Sequence, residues 1–499
     1  MSRITNTLIA LLITTVCTTA AHAELWLPAI FGDHMVLQAD KQPAIWGKAN
    51  PNQTITLTID NQRATTTADA EGHWLAHLPR LADPGPHTLR IDAGPDWKVI
   101  DDILIGEVWV CSGQSNMDMR MYKMDQAEID AADHPKIRLF RVERSSSETP
   151  LDDVEGQWEL CTPRNVRDFS AAAYYMGREL QQHLDQPIGL IHTAWGGTGA
   201  EVWTRREVLE ANPILQPVVR RHDRNWQTYN DALAAWKDNP TGSEPTPPED
   251  RRTVGGLYNG MIHPLVPYTI RGFAWYQGES NVWRSRQYYT LLSEMIIDWR
   301  TQWGDMTLPF GIVQLPNYSD APRVPPATGS FEELRESQLR VSQSLPNTGL
   351  IVTIDVGKPT DIHPLDKHTV GKRLALWALE AAYNHDINGQ APHFWEVNFD
   401  TGSNEVELKF ANAAAGLTTS DGGPPRGFVI AGPDMRFRWA QARIEGDTVY
   451  VSEAKVTDPR AVRYAWDDNP SWANLVSGDG LPVSPFRTDK WPGITDNAR

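Results

Sequence analysis

The turn Cys111-Ser112-Gly113-Gln114-Ser115-Asn116-Met117 follows an apolar run that reads as a buried strand. A serine just past such a strand, two residues beyond a glycine, sits on a tight turn. Its hydroxyl is exposed and its N–H can face a developing oxyanion. Met117 stands where the Gly-x-Ser-x-Gly elbow has its second glycine, so this turn is of another kind. Asp361-Ile362-His363-Pro364 offers the partner. Its imidazole can take the hydroxyl proton, and a carboxylate two residues earlier can fix the tautomer. Asp355, Asp366 and His368 lie close by and compete for those roles. Two more polar turns complete the set. Trp195-Gly196-Gly197-Thr198 allows close backbone approach and leaves N–H groups free. Trp275-Tyr276-Gln277-Gly278-Glu279-Ser280-Asn281 carries two amides able to donate to an oxyanion, Gln277 and Asn281. It also carries a second acid, Glu279, able to orient a base. Taken singly, each turn is more often structural. In this order they supply nucleophile, oxyanion donors, base and orienter, as acyl transfer through a covalent intermediate requires.

The surrounding pattern puts these turns on one sheet edge. Apolar runs at Ile103–Val110, Ile188–Ile191, Ile270–Trp275, Phe310–Leu315 and Leu350–Ile354 alternate with amphipathic stretches. The stretches are Ala171–Leu184, capped by Ser170, then Gln287–Trp299, Phe331–Leu345 and Lys367–Tyr383. Such alternation predicts an α/β domain over residues 106–385, a parallel sheet covered on both faces. Ligands then bind outside the carboxyl ends of the strands. An insertion at about 205–252 interrupts it: residues 205–237 read as helical, and 238–252, rich in proline and charge, as an exposed loop. Residues 24–105 read as short strands, with Thr54–Ile59 and Thr88–Ile91 alternating at period two. Strand and turn signals return over 386–499, as in Val406–Phe410 and Thr448–Val451. Both flanks are therefore β-rich, of sandwich or jelly-roll type.

With these motifs in place the chain resembles the sialate O-acetylesterase-like family of SGNH hydrolases. The resemblance rests on Gly106-Glu107-Val108-Trp109 leading into Gly113–Met117, and on the turns at Trp195, Trp275 and Asp361. It extends to Met35-Val36-Leu37-Gln38 and to Gly480-Leu481-Pro482 with Pro485-Phe486-Arg487-Thr488-Asp489, so it spans nearly all of residues 24–499. It implies a flavodoxin-like three-layer catalytic domain, no metal and no organic cofactor. It implies Ser115 as nucleophile, His363 as base and Asp361 as orienter. The oxyanion is then held by the N–H groups of Ser115 and Gly197 and by an amide, Gln277 or Asn281. The general pattern of these hydrolases has its acid three residues before the histidine, where this chain has Thr360, so Glu279 rivals Asp361.

Composition narrows the setting. The first 23 residues carry Arg3, an apolar run Leu8–Val16 and Ala21-His22-Ala23, which predicts a cleaved export leader. No later stretch is long and apolar enough for a membrane helix. The chain has 46 Lys and Arg against 63 Asp and Glu, a net charge of −17, and losing Arg3 with the leader makes it −18. That excludes the basic footprint of a nucleic-acid binder. It also leans the substrate towards a neutral acetylated glycan of the plant cell wall, xylan or xyloglucan, with an O-acetyl sialate as the alternative. A sialate carboxylate needs an arginine nearby; Arg120, Arg164, Arg205 and Arg206 are candidates. Trp195 or Met117 can wall off a small acyl pocket. A carbohydrate-binding protein without catalysis is the remaining reading. The cysteines left after the leader, Cys111 and Cys161, are as consistent with a disulfide as with two buried thiols.

Overall fold

The computed structural model describes residues 24–326, 328–400 and 404–498. The leader expected over residues 1–23 lies outside them. Six strands come first: β1 (Val36–Gln38), β2 (Ala44–Lys48), β3 (Thr54–Ile59), β4 (Gln62–Thr67), β5 (His73–His77) and β6 (His87–Ala93). In β3 the period of two is plain: Ile55, Leu57 and Ile59 are buried and the threonines between them face outward.

Strand β7 (Asp96–Gly113) joins this β segment to the α/β domain. Its first half pairs antiparallel with β6; its second half runs parallel to β1 and to two strands of the central sheet. The segment boundary expected near residue 105 thus falls inside one continuous strand. The other strands of the central sheet are β8 (His134–Arg141), β9 (Trp158–Cys161), β10 (Ile188–Ala194), β11 (Gly272–Tyr276), β12 (Phe310–Val313) and β13 (Thr348–Ile351). Their order is β13-β12-β11-β7-β10-β8-β9, and all neighbours are parallel except β8 with β9. From β7 the chain goes to one side of the sheet and returns to the other at β11. That reversal opens a crevice at the carboxyl end of β7, where Ser115 follows.

Nine α-helices follow in chain order among the described residues. They are α1 (Ser115–Asp118), α2 (Gln126–Asp130), α3 (Pro163–Val166), α4 (Ala171–Leu184), α5 (Arg206–Ala211), α6 (Gln216–Asp238), α7 (Ser285–Gln302), α8 (Ser330–Ser344) and α9 (Lys367–Tyr383). Side chains of β7 alternate between two cores. Val108 and Val110 join Leu292 and Ile296 of α7 and Leu334 of α8. Trp109 and Cys111 join Tyr174 and Met176 of α4 and Leu374 and Trp377 of α9. Burial on both faces is why this strand reads as an unbroken apolar run. Ser170 caps α4 by accepting from Ala173 N–H at 3.2 Å. The last two strands in the sheet order, β8 and β9, give no such signal: β8 carries Pro135, Lys136, Arg138 and Arg141, which mask its apolar residues Ile137, Leu139 and Phe140.

The C-terminal segment forms its own antiparallel sheets, including Val406–Ala411 between His393–Asn398 and Thr448–Ser452. No strand of it pairs with a strand of the N-terminal segment among the described residues. It is fastened to the α/β domain by Arg335 of α8. That buried guanidinium donates to the carbonyls of Leu315, Pro316, Asp467 and Asp468 at 2.6–2.9 Å. The Pro485–Asp489 motif makes a second fastening. Arg487 pairs with Glu336 of α8 at 2.8 Å, and within the C-terminal segment Asp489 makes a bidentate pair with buried Arg463, both contacts 2.8 Å.

Candidate active site

Gly113 ends β7 at φ +142°, and a Cβ there would lie 2.2 Å from the carbonyl oxygen of Tyr276. Only glycine lets the turn close against β11 this tightly. The chain then starts α1 at Ser115, whose Oγ lies 2.8 Å from Nε2 of His363. His363 sits on the loop between β13 and α9. As the first helical residue, Ser115 presents an N–H for which the helix has no acceptor.

Burial is the main influence on His363 and lowers its pKa from 6.5. Asp361 acts in the opposite sense, and Lys367 and Lys123 add to the lowering. The imidazole is therefore neutral and able to accept a proton at neutral pH. Hydrolysis is expected to fall as pH drops through a value below 6.5, where the base becomes protonated. The check is a pH profile of kcat/KM on a small acetyl ester. An acid limb centred above the ordinary histidine value would contradict this environment.

Asp361 is close to the imidazole but holds it loosely. Its Oδ1 lies 3.6 Å from Nδ1 of His363, beyond hydrogen-bond reach, and accepts instead from the His363 backbone N–H at 2.8 Å. Its side chain is 51% exposed. The rival acid, Glu279, has its carboxylate partnered elsewhere: Oε1 accepts from Nδ2 of Asn116 at 2.5 Å. Asn116 Nδ2 also donates to the carbonyl of Ile362 at 3.0 Å. Asn116 Oδ1 accepts from Nζ of Lys367 at 2.7 Å, and Nζ donates to the carbonyl of Pro364 at 2.7 Å. The two carbonyls flanking His363 are thus gripped by the residue after the serine and by the first residue of α9. Burial raises the Glu279 pKa and lowers that of Lys367 to about 7, so both are drawn towards neutrality. Asn116 and Lys367 did not stand out as site residues in the sequence. The signal available was position alone, one residue after the serine and four after the histidine.

Gly196 packs directly on the serine: a Cβ there would come 3.2 Å from that of Ser115. Gly197 follows at φ +74°. The amides expected to assist the oxyanion are placed differently from that expectation. Gln277 Nε2 is within 2.7–3.1 Å of Asn281 Oδ1, Thr198 O and Gln114 Oε1. Asn281 Nδ2 donates to Glu201 at 2.8 Å, and its Oδ1 accepts from Ala200 N–H at 3.0 Å. Both are buried behind the glycine loop with their donors engaged, and neither lines the pocket over Ser115. They buttress the loop that carries Gly197. The remaining oxyanion donors of the expected set are the backbone N–H groups of Ser115 and Gly197.

The pocket over Ser115 and His363 has a volume of about 410 Å³. Trp195 forms one wall, with the guanidinium of Arg144 5.7 Å from its ring; Met117 is buried in the core below, beside Ser170. Arg120, Lys123, Arg144 and Arg251 line the pocket against one carboxylate, Asp118, which pairs with Arg144. Of the arginines expected near a sugar carboxylate, only Arg120 is here. Arg205 pairs with Asp298 at 2.7 Å, Arg206 with Asp223 at 2.7 Å, and Arg164 lies on α3 outside the pocket lining.

Cys111 and Cys161 are free and buried, and burial pushes each thiol up to about 12, where it is unreactive. Among the described residues no three His, Cys, Asp or Glu side chains are grouped so as to hold a metal ion. No helix among them is long and apolar enough to cross a membrane.

Residues 105–380 match the sequence model of a family described as carbohydrate esterase, sialic acid-specific acetylesterase. The mouse sialate O-acetylesterase is 32% identical, over 91% of this chain and 92% of that protein. The human sialate O-acetylesterase is 30% identical, over 73% of this chain and 72% of that protein. The crystal structure of a carbohydrate acetylesterase from Xanthomonas citri has a TM-score of 0.82 at 37% identity, covering 94% of this chain and 100% of that one.

Proposed function

The chain belongs to the sialic acid-specific acetylesterase family of carbohydrate esterases and is an SGNH-type esterase, and from that premise we propose that it removes O-acetyl groups from a glycan through an acetyl-enzyme on Ser115. The observation that carries the proposal is the 2.8 Å contact between Ser115 Oγ and His363 Nε2 at the floor of an open pocket. His363 takes the serine proton as Oγ attacks the acetyl carbonyl, then returns it to the departing sugar oxygen. The N–H groups of Ser115 and Gly197 stabilise the tetrahedral oxyanion. Water, activated by the same imidazole, releases acetate. Asp361 supports the imidazolium, and Glu279 acts on the histidine loop only through Asn116. Residues 106–385 form the catalytic domain, with 205–252 inserted and β-rich segments 24–105 and 386–499 flanking it. Residues 1–23 direct export.

Two substrate classes have support. The net charge of −17 favours a neutral cell-wall glycan such as xylan or xyloglucan. The pocket lining favours an acidic sugar, because Arg120, Lys123, Arg144 and Arg251 stand there with one lining carboxylate, Asp118; Arg144 pairs with Asp118, Arg120 with Asp168 and Arg251 with Glu249, and Lys123 adds a fourth cation. The local set is the stronger influence, since surface charges more than about 10 Å away are largely screened. An O-acetylated sialoside therefore fits best, in line with the naming of the mouse and human relatives. Acetate release from O-acetyl sialoside, acetylated pectin, xylan and xyloglucan tests this. Faster release from the acidic pair is the expected result. Release confined to xylan or xyloglucan would return the substrate to the neutral class. No release from any of them, nor from a small acetyl ester, would leave a carbohydrate-binding protein.

A further inference from the structure

Helix α6 is 23 residues long, yet its buried residues are Val218 and Val219 alone. A helix of that length spans about 35 Å. Burying so little, it adds little to the core that most helices rely on. What it does face is a second cavity of about 470 Å³. Arg221, His222 and Trp226 of α6 line one wall; Ser280 and Trp283 line the other. Arg251, at the end of the same insertion, lines both this cavity and the pocket over Ser115. It is fixed between them by donating to the carbonyl of Gly196 at 2.9 Å. Gly197, the proposed oxyanion donor, borders the second cavity as well. Trp283 is 74% exposed at its edge, more than any other large apolar side chain among the described residues. An indole face left in water beside a polar cavity suits the C–H face of a sugar ring, with the side chains of Asn225 and Ser280 in the lining for its hydroxyl groups.

We propose that the insertion at 205–252 builds a subsite for the sugar unit next to the acetylated one, with Trp283 as its stacking platform, so that the enzyme acts on oligosaccharide chains in preference to single sugars. The proposal rests on the esterase reading and deepens it. It accounts for a long helix that contributes little to the core, and for an arginine shared by two adjoining cavities.

The test compares chain length within each substrate class. The probes are acetylated xylohexaose against an acetylated methyl xyloside, and O-acetylated trimeric α2,8-linked sialic acid against a 9-O-acetylated methyl sialoside. Wild-type protein should prefer the chain over the single sugar at least tenfold in kcat/KM in one class, and that class identifies the glycan. Trp283→Ala, and Trp226→Ala on the facing helix, should reduce the preference to within about twofold, with the change carried by KM. Because the readout is a ratio, loss of folded protein cancels. A wild-type ratio near one in both classes, or a ratio untouched by Trp283→Ala, overturns the subsite. Should the wild type hydrolyse none of the four, the esterase reading is judged separately on a small acetyl ester and fails if that too is left intact. Calorimetric binding of the same probes to Ser115→Ala then decides the subsite: at least tenfold tighter binding of a chain, lost on adding Trp283→Ala, supports it, and equal binding overturns it.

Discussion

Ser115→Ala is expected to lower kcat/KM for acetyl ester hydrolysis by about 10⁴-fold or more while the protein stays folded. On the proposed mechanism this hydroxyl forms the acyl bond, and removing it leaves the residual acceleration due to binding and oxyanion donors. The stability cost is small, because Oγ sits in an open pocket and its contact is with the imidazole. His363→Ala should be nearly as damaging, since without a base the hydroxyl stays protonated through the attack. The double variant should be no worse than either single one, because serine and histidine act as one unit. Initial rates on p-nitrophenyl acetate, with thermal midpoints beside them, make the check. A drop of less than about 10²-fold, or effects that multiply in the double variant, would mean that the two residues do not work together.

Lys367→Met is expected to lower kcat by roughly 10- to 100-fold with KM little changed, and to move the acid limb of the pH profile upward. Nζ of Lys367 holds Asn116 Oδ1 and the carbonyl of Pro364, each at 2.7 Å. Removing it leaves two buried acceptors without their donor, at about 1–3 kcal/mol each, and the relief available is movement of the histidine loop. A base displaced by a few tenths of an ångström loses rate and not affinity. The shift in pH follows from charge. Asp361, Lys367 and Lys123 are the charged groups acting on His363. Lys367 titrates near 7, so it is charged while His363 titrates at lower pH, and there it disfavours the imidazolium. Without it the histidine protonates at a higher pH. Asp361→Asn should cost less than about tenfold, since a half-exposed carboxylate 3.6 Å away is well screened. An unchanged limb in Lys367→Met, or a larger loss in Asp361→Asn than in Lys367→Met, would return the orienting role to Asp361.

The sequence carried the parts of the fold that depend on local pattern. Parallel strands buried on both faces leave unbroken apolar runs, so β10, β11, β12, β13 and the second half of β7 were legible within a few residues, while the first half of β7, which pairs with β6, was not read as the same strand. Helix α9 was legible at both ends, where Asp366 accepts from Thr369 N–H and Tyr383 precedes Asn384 in the left-handed region. Strand β8 was hidden because its proline and cations look like a loop. The meeting of Ser115 and His363 was legible because both lie on polar turns that follow strands of one sheet. What Gln277 and Asn281 do was not legible. An amide in a polar turn reads the same whether it faces a pocket or a neighbouring amide, and only three-dimensional packing decides. The charge of the pocket was hidden for a similar reason. A net charge of −17 sums over the whole surface, whereas the pocket cations come from three separate places in the chain, the Arg120–Lys123 turn, Arg144 and Arg251, and meet only on folding.

The most direct test of the central claim is covalent capture of the nucleophile. The protein is incubated with a fluorophosphonate, digested and mapped by mass spectrometry while acetate release is followed in parallel. One phosphonyl group on Ser115, rising in step with the loss of activity and absent from Ser115→Ala, is the expected result. Acetate release that persists with Ser115 fully modified, or an inactivating adduct on another residue, would contradict Ser115 as the nucleophile.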